Sequence, residues 1–125
     1  MTDLGKYFSS EELDSAKTLI TYFHGRPMIT DELSGKDALC LVLYMLANER
    51  KTSMIERKTV EKFFAEAGRN KMDKKSTSEF SKAFYDVNKA ELATSKGDMI
   101  GLTFRGLSRV QELLIQGLQK RFNRS

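Results

Sequence analysis

Residues 92–107 read Leu-Ala-Thr-Ser-Lys-Gly-Asp-Met-Ile-Gly-Leu-Thr-Phe-Arg-Gly-Leu, and this stretch decides which fold the sequence predicts. From Ile100 to Phe104, apolar residues alternate with small or polar ones, which is the period of two expected of a strand. The Lys-Gly-Asp centre supplies the glycine that a tight hairpin turn needs. We therefore expect a β-hairpin over 92–104 that leads directly into a helix, with Thr103 as the cap of that helix.

On either side of the hairpin, apolar residues recur at three- and four-residue spacing, as they do on one face of a helix. A capping box at residues 9–12 and stop signals at Gly25 and Pro27 delimit the first helix. Residues 38–47 are apolar on nearly every side. A buried strand would look similar, but ten residues without a turn signal favour a helix at the centre of a core or in an oligomer seam. The predicted helices cover residues 10–24, 35–49, the stretch between a Thr52 or Ser53 cap and Gly68, 77–89 and 104–122.

The composition is that of one globular domain over residues 1–125. Hydrophobic residues make up 40% of the chain and charged residues 30%, which argues against wholesale disorder. The longest apolar run has ten residues, whereas a membrane-spanning helix needs roughly 20. Because the N-terminus lacks a secretory signal pattern and the chain has one cysteine, Cys40, we expect a cytoplasmic protein without a membrane segment.

Charge is distributed unevenly along the chain, although the formal net charge is only +4. Residues 1–49 hold 4 basic and 8 acidic groups, residues 50–90 hold 11 and 6, and residues 91–125 hold 6 and 3. An acidic N-terminal part followed by a basic C-terminal part predicts a surface for an anionic partner, with nucleic acid as the first candidate. An ordinary solvated surface would also produce this modest charge.

The order of the second, third and fourth helices followed by a glycine-turned hairpin resembles the winged helix-turn-helix fold. Leu102-Thr103-Phe104-Arg105-Gly106 is similar to the L-T-x-x-G segment that ends the wing in MarR- and PadR-like regulators. The resemblance spans residues 36–122. It implies a mainly α fold with a small β-hairpin, in which a winged-helix core over 36–104 has extra helices at 10–24 and 104–122 on either side. The segment from Gly68 to Ser76 is longer than the usual three- or four-residue turn between the two helices of the motif.

The same resemblance implies a function, which is the binding of double-stranded DNA by a transcriptional regulator. Helix 77–89 would enter the major groove, either for a specific sequence or for duplexes in general, and hairpin 92–104 would be the wing. The helices at 10–24 and 104–122 would form the seam of a homodimer. A protein-interaction adaptor that keeps the winged-helix shape without binding DNA is the alternative, because a fold does not determine a function. RNA binding is weaker, since no exposed pair of aromatic strands is predicted.

Helix 77–89 has the division of faces that a groove-entering helix needs. At about 100° per residue, its phenylalanines point to one side, while polar residues on the other offer donors to phosphates and base edges. These polar residues and the basic ones around them form the predicted DNA-binding surface. Its members are Thr77, Ser78, Lys82, Tyr85 and Lys89 on the helix, Lys71, Lys74 and Lys75 before it, with Arg69 beside them, and Lys96 at the hairpin tip.

Four residues outside this surface also have features that need a reason. Arg105 and Arg109 lie at the start of a helix, where the helix dipole disfavours cations, and this indicates an anionic partner. Cys40 is flanked by leucines, so we expect a core residue whose thiol pKa is raised by burial. His24 is predicted near a helix C-terminus, where a cation is favoured.

Enzymatic chemistry is not expected. The sequence contains no phosphate-binding glycine loop, dinucleotide fingerprint, nucleophile elbow or zinc-protease motif. One histidine and one cysteine exclude most metal cages and Cys–His dyads, and the carboxylates fit helix caps or solvent-exposed faces. We therefore expect no catalytic residue, no metal and no cofactor.

Overall fold

The computed structural model describes residues 4–69 and 78–123, with the side chains of the last helix described as far as Lys120. A 3-10 turn at Leu4–Lys6 precedes the first α-helix. The α-helices are α1 (Leu13–Ala16), α2 (Gly35–Arg50), α3 (Arg57–Glu66), α4 (Glu79–Lys89) and α5 (Phe104–Asn123). The strands are β1 (Ile20–Phe23), β2 (Arg26–Ile29), β3 (Ile55–Glu56), β4 (Ala93–Lys96) and β5 (Met99–Leu102). This part of the chain is a mixed α/β domain with two small antiparallel sheets, so it contains more β structure than predicted.

Helix α2 is the centre of the core, and it confirms the prediction over 35–49. The Ser34 hydroxyl caps it by accepting a hydrogen bond from the Asp37 amide at 3.1 Å. Lys51, in the left-handed conformation at φ 55°, ends it. An unbroken run from Ala38 to Leu43 is buried, because α3, α4 and α5 each pack against a different part of α2. This packing explains why the helix is apolar on nearly every side.

The second sheet has the strand order β3-β5-β4, and its β4–β5 hairpin confirms the prediction over 92–104. Gly97, at φ 61°, supplies the positive φ of the turn. The short strand β3 was not predicted. Because Ile55 pairs with Ile100, the chain stays extended until Glu56 and α3 starts only at Arg57. The predicted cap at Thr52 or Ser53 was therefore wrong.

The helix predicted over 10–24 is also wrong. Only Leu13–Ala16 is helical, and the following residues form the antiparallel β1–β2 hairpin. Ile-Thr-Tyr-Phe at 20–23 is a run of β-branched and aromatic residues, which fit a pleated surface better than a helix. His24 and Gly25 form a two-residue turn with φ of 52° and 77°, the pair of positive values that a type I′ turn requires. The glycine that was interpreted as a helix stop is thus a hairpin turn, and His24 is not at a helix end.

The junction between the second hairpin and α5 agrees with the predicted Thr103 cap. The Thr103 hydroxyl accepts a hydrogen bond from the Gly106 amide at 3.2 Å and donates one to the Glu91 carbonyl oxygen. A Cβ atom on Gly106 would collide with the carbonyl oxygen of Leu92 and with the Leu102 side chain. Glycine is therefore required where α5 crosses the base of the hairpin. Helix α5, at Phe104–Asn123, matches the prediction over 104–122.

Candidate nucleic-acid interface

Helix α4 forms where the sequence predicts it, because its two ends and its apolar spacing agree. The Ser78 hydroxyl accepts a hydrogen bond from the Ser81 amide at 3.1 Å and so caps the N-terminus. Phe80, Ala83 and Val87 are buried at three- and four-residue spacing against α2. Burial of this side fixes the rotation of α4, so that its opposite side faces solvent.

The solvent-exposed side of α4 has Lys82, Tyr85 and Lys89 on one face. All three are exposed, and Tyr85 retains 62% of its surface. The Lys89 ammonium lies 5.7 Å from the centroid of the Tyr85 ring, a cation–π distance. Asp86 is half-buried on the flank of this face, one residue from Tyr85. The face therefore presents two cations and a phenol to solvent.

Ser78 caps the N-terminus of α4, so its hydroxyl is engaged within the helix. Besides accepting from the Ser81 amide, its hydroxyl donates to the Ser81 hydroxyl at 2.9 Å. Its capping role occupies the oxygen that was predicted to contact phosphate or base. Thr77, Lys71, Lys74 and Lys75, which complete that predicted surface, lie outside the described residues.

The β4–β5 hairpin is attached to the last turn of α4. The Ser95 hydroxyl donates to the Asn88 side-chain oxygen at 3.0 Å, and the Asn88 amide group donates to the Phe84 carbonyl oxygen at 2.7 Å. Lys96 follows Ser95 directly and is exposed at the end of β4. The structure thus brings the strand with Lys96 to the C-terminal end of the helix with Lys82 and Lys89.

Arg57 belongs to the same region, and the sequence analysis missed it. Its amide donates to the Asp98 carbonyl oxygen in the hairpin turn at 2.8 Å. Its guanidinium lies 4.2 Å from the centroid of the Phe84 ring on α4. The sequence did not single it out, because a helix beginning at Thr52 or Ser53 would place Arg57 inside the helix and not at its first position. Arg57 connects α3, the hairpin turn and α4 while remaining exposed.

Arg69 was predicted to extend the basic surface, and the structure places it elsewhere. Its side chain is buried, and its guanidinium donates to the Thr30 and Leu33 carbonyl oxygens at 2.9 and 2.7 Å. It also forms an ion pair with Glu79 at 2.6 Å, in the first turn of α4. Arg69 is therefore a structural clamp between the end of β2, the loop before α2 and the start of α4.

The two arginines at the start of α5 also have partners within the protein. Arg109 donates to both carboxylate oxygens of Asp37 at 3.0 and 2.9 Å, and this hydrogen bonding raises the pKa of the guanidinium. It also contacts Glu112 at 2.8 Å. Arg105 pairs with Glu91 at 3.7 Å on the surface. The anion that Arg109 indicated is thus an internal carboxylate on α2.

Two further ionisable side chains, Cys40 and Tyr44, lie on α2. Burial raises the pKa of the Cys40 thiol to about 12, in agreement with its expected role as a core residue. Burial and a hydrogen bond to Glu12 raise the pKa of the Tyr44 hydroxyl to about 12. Over residues 4–69 and 78–123, no cluster of histidine, cysteine and carboxylate side chains could hold a metal ion. In the same residues, no helix is both long enough and apolar enough to cross a bilayer.

Comparisons with known proteins gave no match, whether against family models, curated protein sequences or solved structures.

Proposed function

We propose that this protein binds double-stranded DNA through the exposed face of α4 and acts as a transcriptional regulator of the winged-helix type. The observation behind the proposal is the exposed face formed by Lys82, Tyr85 and Lys89 on α4. Lysine ammonium groups neutralise phosphates, and lysine and tyrosine side chains donate to base edges in the major groove.

The arrangement around α4 supports this proposal. Elements α2, β3, α3, α4, β4 and β5 follow one another along the chain, and the sheet order is β3-β5-β4. This order is what a winged helix-turn-helix needs, with α4 as recognition helix and β4–β5 as wing. The Ser95–Asn88 hydrogen bond keeps the wing beside the recognition helix, so Lys96 can contact the backbone flanking the groove.

A homodimer is part of the proposal, and α5 supplies its seam now that residues 10–24 are not a helix. Phe104, Leu107 and Ile115 are exposed by 84%, 40% and 55% on one side of α5. With Gln111 and Leu118 they form a stripe whose spacing of three, four, four and three residues is symmetric about Gln111. A two-fold interface must be self-complementary. Antiparallel pairing of two α5 helices would place Phe104 against Leu118, Leu107 against Ile115, and Gln111 on the axis.

Sedimentation velocity tests the seam. We expect a dimer at micromolar concentration, and we expect Ile115→Glu to shift it to the 14.3 kDa monomer without loss of helix content. Gln116→Glu, an exposed position on α5 outside the stripe, is the matched control and should stay dimeric. A wild-type protein that sediments only as a monomer would contradict the proposed seam.

Fluorescence anisotropy with a labelled duplex at two salt concentrations tests DNA binding. We expect binding at low salt that weakens as salt rises, because released counterions make phosphate contacts salt-dependent. A random-sequence duplex in the same titration measures how much of the affinity depends on sequence. No binding at low salt, or binding that does not respond to salt, would contradict the proposal.

A protein-interaction adaptor is the second candidate, and the exposed apolar side chains favour it. Tyr85, Phe104 and Leu107 are large and accessible, and aromatic residues are enriched at the centres of protein interfaces. The salt titration separates the two candidates, since an adaptor would show no salt-dependent affinity for a duplex.

A further inference from the structure

The tip of the β1–β2 hairpin has an exposed cluster that the proposed function does not use. Phe23 and Arg26 are direct partners in the strand register, so their side chains lie on the same face of the hairpin. Phe23 retains 62% of its surface, and Arg26 is exposed as well. His24, between them in the turn, meets the Phe23 ring edge-on at 4.2 Å between centroids.

The two faces of this hairpin differ in burial. Ile20 and its partner Ile29 are buried, and Tyr22 and Pro27 above them are half-buried. That face attaches the hairpin to the core, which leaves the face of Phe23 and Arg26 toward solvent. Phe23 and Arg26 therefore form an apolar and cationic pair at the hairpin tip that is accessible to a partner.

The charge of the hairpin selects the class of partner. From Thr18 to Thr30 the chain has no carboxylate and has one arginine, Arg26. A cation beside an apolar ring, without a carboxylate on either strand, is complementary to the nucleic-acid backbone. In such contacts arginine pairs with phosphate, and an apolar wedge packs against sugars and base edges in the minor groove.

Arg69 fixes this hairpin beside the proposed recognition helix. Its guanidinium binds the carbonyl oxygen of Thr30, which directly follows β2, and the carboxylate of Glu79, which begins α4. The Thr30 amide in turn donates to the Leu19 carbonyl oxygen at 2.9 Å and closes the base of the hairpin. One buried side chain therefore holds the hairpin and the N-terminus of α4 together.

We propose that the β1–β2 hairpin is a second DNA-contacting element, in which Arg26 binds a backbone phosphate and Phe23 packs into the minor groove next to the segment bound by α4. This inference rests on the proposed function, because it assumes that the α4 face binds the duplex. It adds a contact near the start of α4, which Arg69 holds, whereas the β4–β5 hairpin is hydrogen-bonded near the end of α4 at Asn88.

The test uses hydroxyl-radical footprinting and anisotropy with the full chain. Footprinting first defines the DNA segment that wild-type protein protects. Binding is then compared on two duplexes, of which one ends at the segment bound by α4 and the other extends beyond it. We expect wild-type protein to bind the extended duplex more tightly. Arg26→Gln should lower the salt slope by about one on the extended duplex only. Phe23→Ala should lower the affinity for the extended duplex by roughly tenfold, if the ring contributes as much as an aromatic ring stacked on a single-stranded base.

Lys17→Gln is the matched control, because it removes one exposed positive charge directly after α1, before β1 begins. This variant should leave the salt slope of binding unchanged on both duplexes. The inference would be overturned if the Arg26→Gln and Phe23→Ala variants bound the extended duplex as tightly as wild-type protein does. That result would overturn it even if the same variants lost binding to a protein partner. If the same variants are normal while Lys82→Ala with Lys89→Ala loses binding, the proposed function stands and only the hairpin inference fails.

Discussion

The two hairpins of this protein have the same size and are built differently. Strands β1 and β2, like β4 and β5, are four residues long and joined by two residues. The β4–β5 turn places glycine first, at φ 61°, whereas the β1–β2 turn places His24 and Gly25 both at positive φ. The β4–β5 hairpin has a third strand and a hydrogen bond to α4. The β1–β2 hairpin is a separate two-stranded sheet held at its base by Arg69. Two turns of equal length can therefore close hairpins that are connected to the rest of the fold in different ways.

The largest effect is expected from removing the clamp that holds the β1–β2 hairpin. Arg69→Met leaves the Glu79 carboxylate and two carbonyl oxygens without their donor, so the free energy of unfolding should fall by roughly 3 kcal/mol. Urea denaturation measures the loss. Hydrogen exchange should show that amides at the base of β1–β2 lose protection before those of β4–β5. Arg105→Met is the control, because its exposed pair with Glu91 at 3.7 Å contributes little. Equal stability of the two variants would contradict the clamp.

Adding a methyl group at Gly101, in the β4–β5 sheet, should lower the free energy of unfolding nearly as much as Arg69→Met does. A Cβ atom on Gly101 would collide with the Ser53 carbonyl oxygen, and backbone cannot move aside cheaply. Gly101→Ala should therefore cost about 2–3 kcal/mol, as overpacking of a tight contact does. Thermal unfolding followed by circular dichroism gives the change, and a loss below that of Gly25→Ala would show that this sheet is not the more rigid one.

Gly25→Ala is the corresponding change in the other hairpin, and a smaller effect is expected. Nothing lies within 4 Å of a Cβ atom at Gly25, so only the left-handed backbone at φ 77° opposes the substitution. The cost should be about 1–2 kcal/mol. His24→Gly should act in the opposite direction and stabilise the turn, since His24 occupies φ 52°. Both changes should leave the β4–β5 amides protected.

The difference between the hairpins also explains what the sequence could predict. The Gly97 turn lies between alternating residues and next to a helix cap, so several local signals agreed, and hairpin and cap were predicted correctly. Leu13, Ala16 and Ile20 happen to match helical spacing, so this spacing predicted a helix over 10–24 although the β-branched and aromatic run at 20–23 favours a strand. The His24–Gly25 turn was consequently interpreted as a helix end.

The candidate site was predictable only in part, for a similar reason. The exposed face of α4 follows from helical periodicity alone, so the exposure of Lys82, Tyr85 and Lys89 was predicted correctly. Arg69 and Arg109 are not available to a ligand, because Arg69 pairs with Glu79 and Arg109 pairs with Asp37. Asp37 lies 72 residues from Arg109 in the chain. No local pattern encodes such pairings. A basic residue in a basic segment looks the same whether it faces solvent or an internal carboxylate.

The smallest effect near neutral pH concerns Cys40 and Tyr44 on α2, the central helix of the core. Cys40 and Tyr44 have pKa values raised to about 12, so the folded protein holds these protons where the unfolded chain releases them. Stability should therefore be unaffected below about pH 8 and should fall as pH rises from about 9 toward 12. Urea denaturation across this range should give a shallower decline for Cys40→Ala. An unchanged decline in that variant would remove Cys40 as a cause.

The most direct test of the central claim, that the exposed face of α4 binds duplex DNA, is the salt slope of binding for Lys82→Ala with Lys89→Ala. Each phosphate contact removed should lower the slope by about one, so this pair should lower it by about two while the unfolding curve stays unchanged. Lys17→Ala with Lys51→Ala removes two exposed charges outside α4 and should keep the wild-type slope. Identical slopes for the two double variants would contradict the claim.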